Sequence, residues 1–185
     1  MENNELLKIS EEVKELRAQV ESLKAAAPDD KLSMVVMSGD LDRLLAAFII
    51  ATGAAAMFEK VVMFFTFWSI PALKNPRKRV SKAAVARMFE IMLPSGPDQA
   101  ALSKMDFCGA GRAMMKAIMK KHNVMSLEQL MNTAAASGVE IYICQMSMDL
   151  MGYKTEEMRD YPSLKTAGVA KFLAEAGRSK ATLFI

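Results

Sequence analysis

Leu6, Ile9, Val13, Leu16, Val20 and Leu23 recur at steps of 3, 4, 3, 4 and 3 through "ELLKISEEVKELRAQVESLK", residues 5–24. That spacing is the seam of a coiled coil, in which apolar positions return every 3.5 residues on average. Val13 and Val20 take the a positions, with Ile9, Leu16 and Leu23 at d, a choice that favours two parallel strands. Glu12 at g and Arg17 at e are placed to pair between chains. Three heptads are marginal as an isolated coil, so assembly needs help from the rest of the chain. The alternative is that this helix folds back on its own domain. Ala25 to Asp30 ("AAAPDD") breaks the periodicity and reads as a linker. The expected organisation is a heptad helix over residues 1–27 and one domain over 31–185.

From Lys31 onward the pattern alternates between short apolar runs and helical periodicity. Strands are expected at 32–38 ("LSMVVMS"), 60–67 ("KVVMFFTF"), 139–144 ("VEIYIC") and 181–185 ("ATLFI"). Helices are expected over Leu41–Phe58 and Lys82–Met92, at 98–105, 112–122 and 126–137, briefly after residue 144, and at 168–177. Runs of Val, Ile and Phe without polar alternation belong to parallel sheets buried on both sides. The fold expected is α/β: a doubly wound, mostly parallel sheet of at least four strands, with helices on both faces.

Composition narrows the function. The chain has 185 residues, 52% of them hydrophobic, and a formal charge of +3. That charge is too small and too mixed to argue for nucleic acid. One histidine, His122, leaves too few parts for a zinc site or a His-based triad. Two cysteines in a chain of this length are not a disulfide framework, which points to a reducing, cytoplasmic setting. Uncharged runs at Leu44–Phe58 (15 residues) and Val61–Leu73 (13 residues) are each shorter than the roughly 20 residues of a spanning helix. A buried helix followed by a buried strand accounts for both.

Open parallel sheets place their sites at the carboxyl ends of strands. Three segments qualify: Ser38-Gly39-Asp40, Thr66 to Ile70, and Cys144 to Met148. Asp40 reads first as a plain helix cap. Cys144 ends its strand, and Ser147 is expected to cap the helix that follows. Helix N–H groups favour thiolate, while the apolar setting of Met146, Met148 and Met151 disfavours it. The sequence leaves that contest open, and a small core residue remains the alternative. The second thiol, Cys108, precedes Gly109-Ala110-Gly111 and another helix. Gly109 and Gly111 could form a nest for an anion, to which Arg112 would add charge. The 17 methionines are scattered through the apolar elements and read as adaptable core packing. A Cu(I) site from Cys144, Met146 and Met148, or a dry lining for a sulfur atom, is a lesser reading. Lys74, Arg77, Lys78, Arg79 and Lys82 place five cations in nine residues without interleaved aromatics. They read as a solvated loop, or as a contact for an acidic partner or an anionic membrane surface, edged by Trp68 and Pro71.

The stretches "MSGDLDRLLAAFIIATGAAAM", "VVMFFTFW", "FCGAGRAMM" and above all "VEIYICQMSMDLMG" resemble the DsrE/DsrF-like sulfur-relay family over about Ser33 to Ile185. The larger DsrE-like subgroup, sometimes called peroxiredoxin-family proteins, is the nearest match. This chain has no Thr/Ser-x-x-Cys peroxidatic motif. The resemblance implies a Rossmann-like fold, homo-oligomers, and sulfur-donor and sulfur-acceptor partner proteins. It also implies a strand-end cysteine that holds sulfane sulfur as a persulfide. Cys144 occupies that position, and Cys108 matches the subgroup's second cysteine, as a relay or resolving thiol. Such a sulfurtransferase-like carrier needs no cofactor, metal or general base. The alternatives are an interaction module with structural cysteines, and a switch in which Cys108 and Cys144 form a reversible disulfide.

Overall fold

The computed structural model describes residues 2–78, 80 and 93–185. The helix expected over Lys82–Met92, with Arg79 and Lys82 of the basic loop, lies outside these residues. The heptad stretch forms α1 (Glu2–Ala26). Then β1 (Asp29–Val36), α2 (Leu41–Ala54) and β2 (Lys60–Phe65) follow, with a 3-10 segment over Phe67–Leu73. Further on lie α3 (Ala110–Lys121), α4 (Leu127–Ala136), β3 (Glu140–Cys144) and α5 (Gln145–Met151). The chain closes with β4 (Leu164–Ala167), α6 (Val169–Ala176) and β5 (Ser179–Phe184).

The strands form one five-stranded sheet in the order β4-β3-β2-β1-β5, with every pair parallel. The α/β architecture read from the sequence, a mostly parallel sheet with helices on both faces, is therefore present, and here every strand pair is parallel. Steps from β1 to β4 run in one direction across the sheet, and the step to β5 runs back. Because crossovers are right-handed, this reversal places α6 on the opposite face from α2, α4 and α5. The strands show the same division by alternation. Leu32, Met34, Val36, Met63, Phe65, Ile141 and Ile143 join the larger core, with Phe48 tilted against Phe65 at 5.9 Å. Val62, Phe64, Tyr142 and Cys144 face the other way, under Phe172 of α6. Both layers are apolar, which is why the strands show no polar alternation in the sequence.

Two expected elements differ. No helix forms over 98–105. Pro97–Gln99 makes one 3-10 turn, after which backbone groups bond to other parts of the fold. The Ala101 carbonyl accepts from the Leu41 amide (2.7 Å), and the Ser103 amide donates to Asp42 (2.9 Å). Partners fixed elsewhere replace the i−4 ladder. The fifth strand, β4, was not expected from "LKTA", because an edge strand with two exposed central residues carries no apolar run.

The second face has a polar end. At the amino edge of the sheet, Lys31 (4% exposed) donates to Glu175 Oε2 at 2.8 Å and to Asp29 at 3.2 Å. Lys171 donates to Glu175 Oε1 at 2.6 Å, and Lys60 Nζ stands 3.9 Å from Oε2. Burial works to raise the Glu175 pKa, but these ammonium groups overcome it and hold the carboxyl at about 2 against an ordinary 4.5. A folded-state value below the unfolded one stabilises the fold above pH 4.5, and that contribution is lost as pH falls toward 2. It is worth on the order of 3 kcal/mol. Denaturant titrations along a pH series should show stability falling through this window. Glu175→Gln should flatten that limb; an unchanged acid limb in the variant would refute the assignment.

Candidate functional site

Cys144 is the last residue of β3 and holds the N-cap position of α5 in extended conformation (φ −63°, ψ 113°). It is free and 4% exposed. Parallel pairing of β2 with β3 runs in register to Phe65↔Ile143. One residue further along, Thr66 therefore comes beside Cys144. Ser147, one turn into α5 and wholly buried, completes the group: its hydroxyl lies 2.9 Å from that of Thr66.

Burial pushes the Cys144 thiol pKa up, and hydrogen bonds from the Ser147 hydroxyl and amide, the Thr66 hydroxyl and the Met146 amide pull it down. The hydrogen bonds prevail, and the thiol sits below its ordinary value. The contest that the sequence left open is decided toward a lowered thiol pKa. Donors aimed at sulfur in a dry setting favour the charged form through direct bonding.

Ser147 does not cap α5, whose cap position belongs to Cys144 and carries no side-chain cap bond. Its hydroxyl bonds toward Thr66 and the thiol instead. Thr66 lay in a segment marked as a strand end, but no sequence signal paired it with residue 144. Sheet order alone does so. The methionines diverge: Met148 and Met151 belong to the first-face core, Met146 is 59% exposed, and Cys144 belongs to the second face. They neither converge on a Cu(I) site nor line the sulfur.

Cys108 stands in a different setting. It is exposed, on a turn where Met105, Phe107, Cys108 and Gly109 all have positive φ (60°, 43°, 56° and 97°). Each non-glycine residue in that region costs roughly 1 kcal/mol, so the turn is held by its surroundings. The Asp106 carbonyl accepts from the amides of both Gly109 (2.8 Å) and Gly111 (3.0 Å). A methyl group at Gly111 would collide with the Met105 carbonyl oxygen. These amides brace the turn instead of opening toward an anion. Arg112 donates to the Gln99 carbonyl at 2.5 Å, tying α3 to the 97–99 turn. The expected anion nest of Gly109, Gly111 and Arg112 is therefore a structural brace for Cys108. His122 takes the C-cap position of α3, as its place in the sequence suggested.

At the carboxyl ends of β1 and β5, Ser38, Gly39, Asp40, Arg43, Trp68 and Phe184 line part of a cleft of about 410 Å³. Asp40 stands at the N-cap of α2 without a side-chain cap bond, and the Leu41 amide bonds to the Ala101 carbonyl. Its carboxylate accepts from Ser38 (2.7 Å) and lies 3.7 Å from Arg43. The basic loop is partly internal. Lys74 is 3% exposed and pairs with buried Glu157 at 3.4 Å. Lys78 donates to Asp160 at 2.6 Å and to the Met158 carbonyl. A freely solvated loop or docking patch would leave these two ammonium groups in water. Among the described residues, no helix is long and apolar enough to cross a membrane.

A model of the DsrE/DsrF/DrsH-like family matches residues 28–184. The chain belongs to that family. Among its relatives, Uncharacterized protein YrkE of Bacillus subtilis is 44% identical over 156 residues, covering 84% of this chain and 96% of that protein. Sulfur carrier protein DsrE2 of Allochromatium vinosum is 33% identical over 160 residues, covering 84% of this chain and 98% of the relative. Of solved structures, the ychN protein from E. coli matches at 9% sequence identity with a TM-score of 0.49, covering 84% of this chain and 99% of that one.

The donors around Cys144 make a direct prediction. Thr66→Val and Ser147→Ala should each raise the thiol pKa, read from thiolate absorbance against pH, and each should slow alkylation of the native protein at neutral pH. Each loses a net hydrogen bond worth about 1 kcal/mol, so both variants should stay folded. An unmoved titration in both would dissociate the hydroxyls from the thiol.

Proposed function

We propose that this chain is a sulfur carrier, with Cys144 as the acceptor that holds sulfane sulfur as a persulfide. The observation that carries the proposal is the set of donors, Ser147, Thr66 and the Met146 amide, that lowers the pKa of a buried thiol. The family and a relative named as a sulfur carrier support it.

The thiolate of Cys144 attacks the outer sulfur of a persulfide donor R–S–SH. A new S–S bond forms, the donor's S–S bond breaks, and R–S⁻ leaves and takes the proton. Cys144 then carries –S–S⁻. Attack on the outer sulfur by an acceptor thiolate releases Cys144–S⁻ and completes the transfer. No electrons are gained or lost overall. The hydroxyl and amide donors that steady the thiolate are also placed to steady charge on the persulfide. Cys108 is the proposed relay thiol: it is exposed, held out on a braced turn, and able to meet a partner protein.

The burial of Cys144 favours one competing reading, a packing thiol in an interaction module. The two readings part in a single experiment. Intact-mass analysis after incubation with a small-molecule polysulfide should show sulfur added to the wild type and to Cys108→Ser. Cys144→Ser should gain none at residue 144 by peptide mapping. A Cys144→Ser protein that gains sulfur as readily as wild type would sink the assignment, and a native Cys144 inert to both polysulfide and alkylating agent would establish the packing role.

A further inference from the structure

The family model starts at residue 28, so α1 lies ahead of the shared domain, and the sulfur chemistry makes no use of it. Its seam is open to water: Ile9, Val13, Leu16, Val20 and Leu23 are 56%, 41%, 58%, 46% and 71% exposed. A lone helix displaying a continuous apolar stripe lacks the tertiary burial that normally stabilises helices. The helix does not fold its seam onto its own domain.

We infer that α1 is a pairing element, and that its partner is α1 of a second copy of this chain, parallel and in register. Three observations converge on that occupant. The seam repeats at 3.5-residue spacing with valine at a and mainly leucine at d, the combination that packs two parallel helices. The positions flanking the seam then select orientation. In a parallel pair each g residue meets the e residue five places on in the other helix. That sets Glu12 beside the second copy's Arg17, twice by symmetry, with Glu5 opposite Ser10 and Gln19 opposite Lys24. No like charges meet. In an antiparallel pair g meets g and e meets e, so Glu12 faces Gln19, Arg17 faces Ser10, and neither attractive pair forms. A groove along one side of the helix, edged by Val13, Leu16, Arg17, Val20, Glu21 and Lys24, is ready to receive a second helix.

The attachment point has a consequence for the sulfur site. α1 ends at Ala26 and β1 begins at Asp29, so the coil joins the domain at the amino edge of the sheet. Cys144 lies at the carboxyl edge. A parallel pair therefore brings two domains to the same end of the coil, with both Cys144 sites at the edge remote from it.

The test uses the full-length chain. Sedimentation velocity over a micromolar concentration series should show association. Val20→Glu, which buries a charge in the seam of the pair but lies on an exposed helix face in the free chain, should weaken it by about tenfold or more. Near-ultraviolet circular dichroism should report an unchanged domain. Glu12→Arg and Arg17→Glu should each weaken self-association, by setting Arg against Arg and Glu against Glu. An equimolar mixture of those two variants should regain it, because each mixed pair restores opposite charges. An association unaltered by Val20→Glu at every concentration overturns the proposal. So does a mixture that associates no better than either charge variant alone.

Discussion

Parallel pairing of β2 with β3 is the constraint on which the site depends. The register Phe65↔Ile143 sets Thr66 level with Cys144, and the first turn of α5 adds Ser147 from the other side. A slip of one residue would turn Cys144 to the opposite face of the sheet and send Ile143 to the second layer. Apolar side chains at both faces lock the register. Met63, Phe65, Ile141 and Ile143 fill one core, while Val62, Phe64 and Tyr142 fill the other. The placement of the thiol is thus set by hydrophobic packing along two strands.

The lowered thiol pKa that results is a compromise. Burial would protonate a thiol, and a solvated thiol would find donors in water. Here the donors are built in, and the low polarity around them strengthens each bond. The layer above is thin: the second core is covered by α6, eight residues long, with Phe172 tilted over Phe64 at 5.3 Å. Few buried contacts hold such a cover, so local opening there costs less than opening of the larger core.

The sequence announced the elements whose signals are local. Apolar runs gave β1, β2, β3 and β5, periodicity gave α1, α2, α4 and α6, and Cys144 was marked by its place at a strand end. Features that depended on distant partners stayed hidden. Lys74 looked solvated because its partner, Glu157, is 83 positions away. Ser147 looked like a cap because its bonding partner, Thr66, is 81 positions away. Residues 98–105 had helical composition, but the tie from Ser103 to Asp42 spans 61 positions. Asp40 looked like a cap, but its carboxylate accepts from Ser38 and lies beside Arg43. The glycines at 109 and 111 were read as freedom for a ligand, and the Asp106 carbonyl used them to fix a turn.

The two ends of the sheet divide the work. The amino edge gathers Asp29, Lys31, Lys60, Glu140, Lys171 and Glu175 into a paired cluster whose charges cancel locally. That edge also receives α1. The carboxyl edge carries the thiol, its hydroxyl donors and the cleft beside Trp68. Charges at the amino edge stabilise without reacting, because every ion there has an opposite neighbour. The thiolate at the carboxyl edge has hydrogen-bond donors and no cation among the groups that lower its pKa. A cation in direct contact would hold the negative sulfur more tightly and reduce its nucleophilicity. Neutral donors lower the thiol pKa without pairing the sulfur with a fixed charge, and that is the electrostatic difference between the two edges.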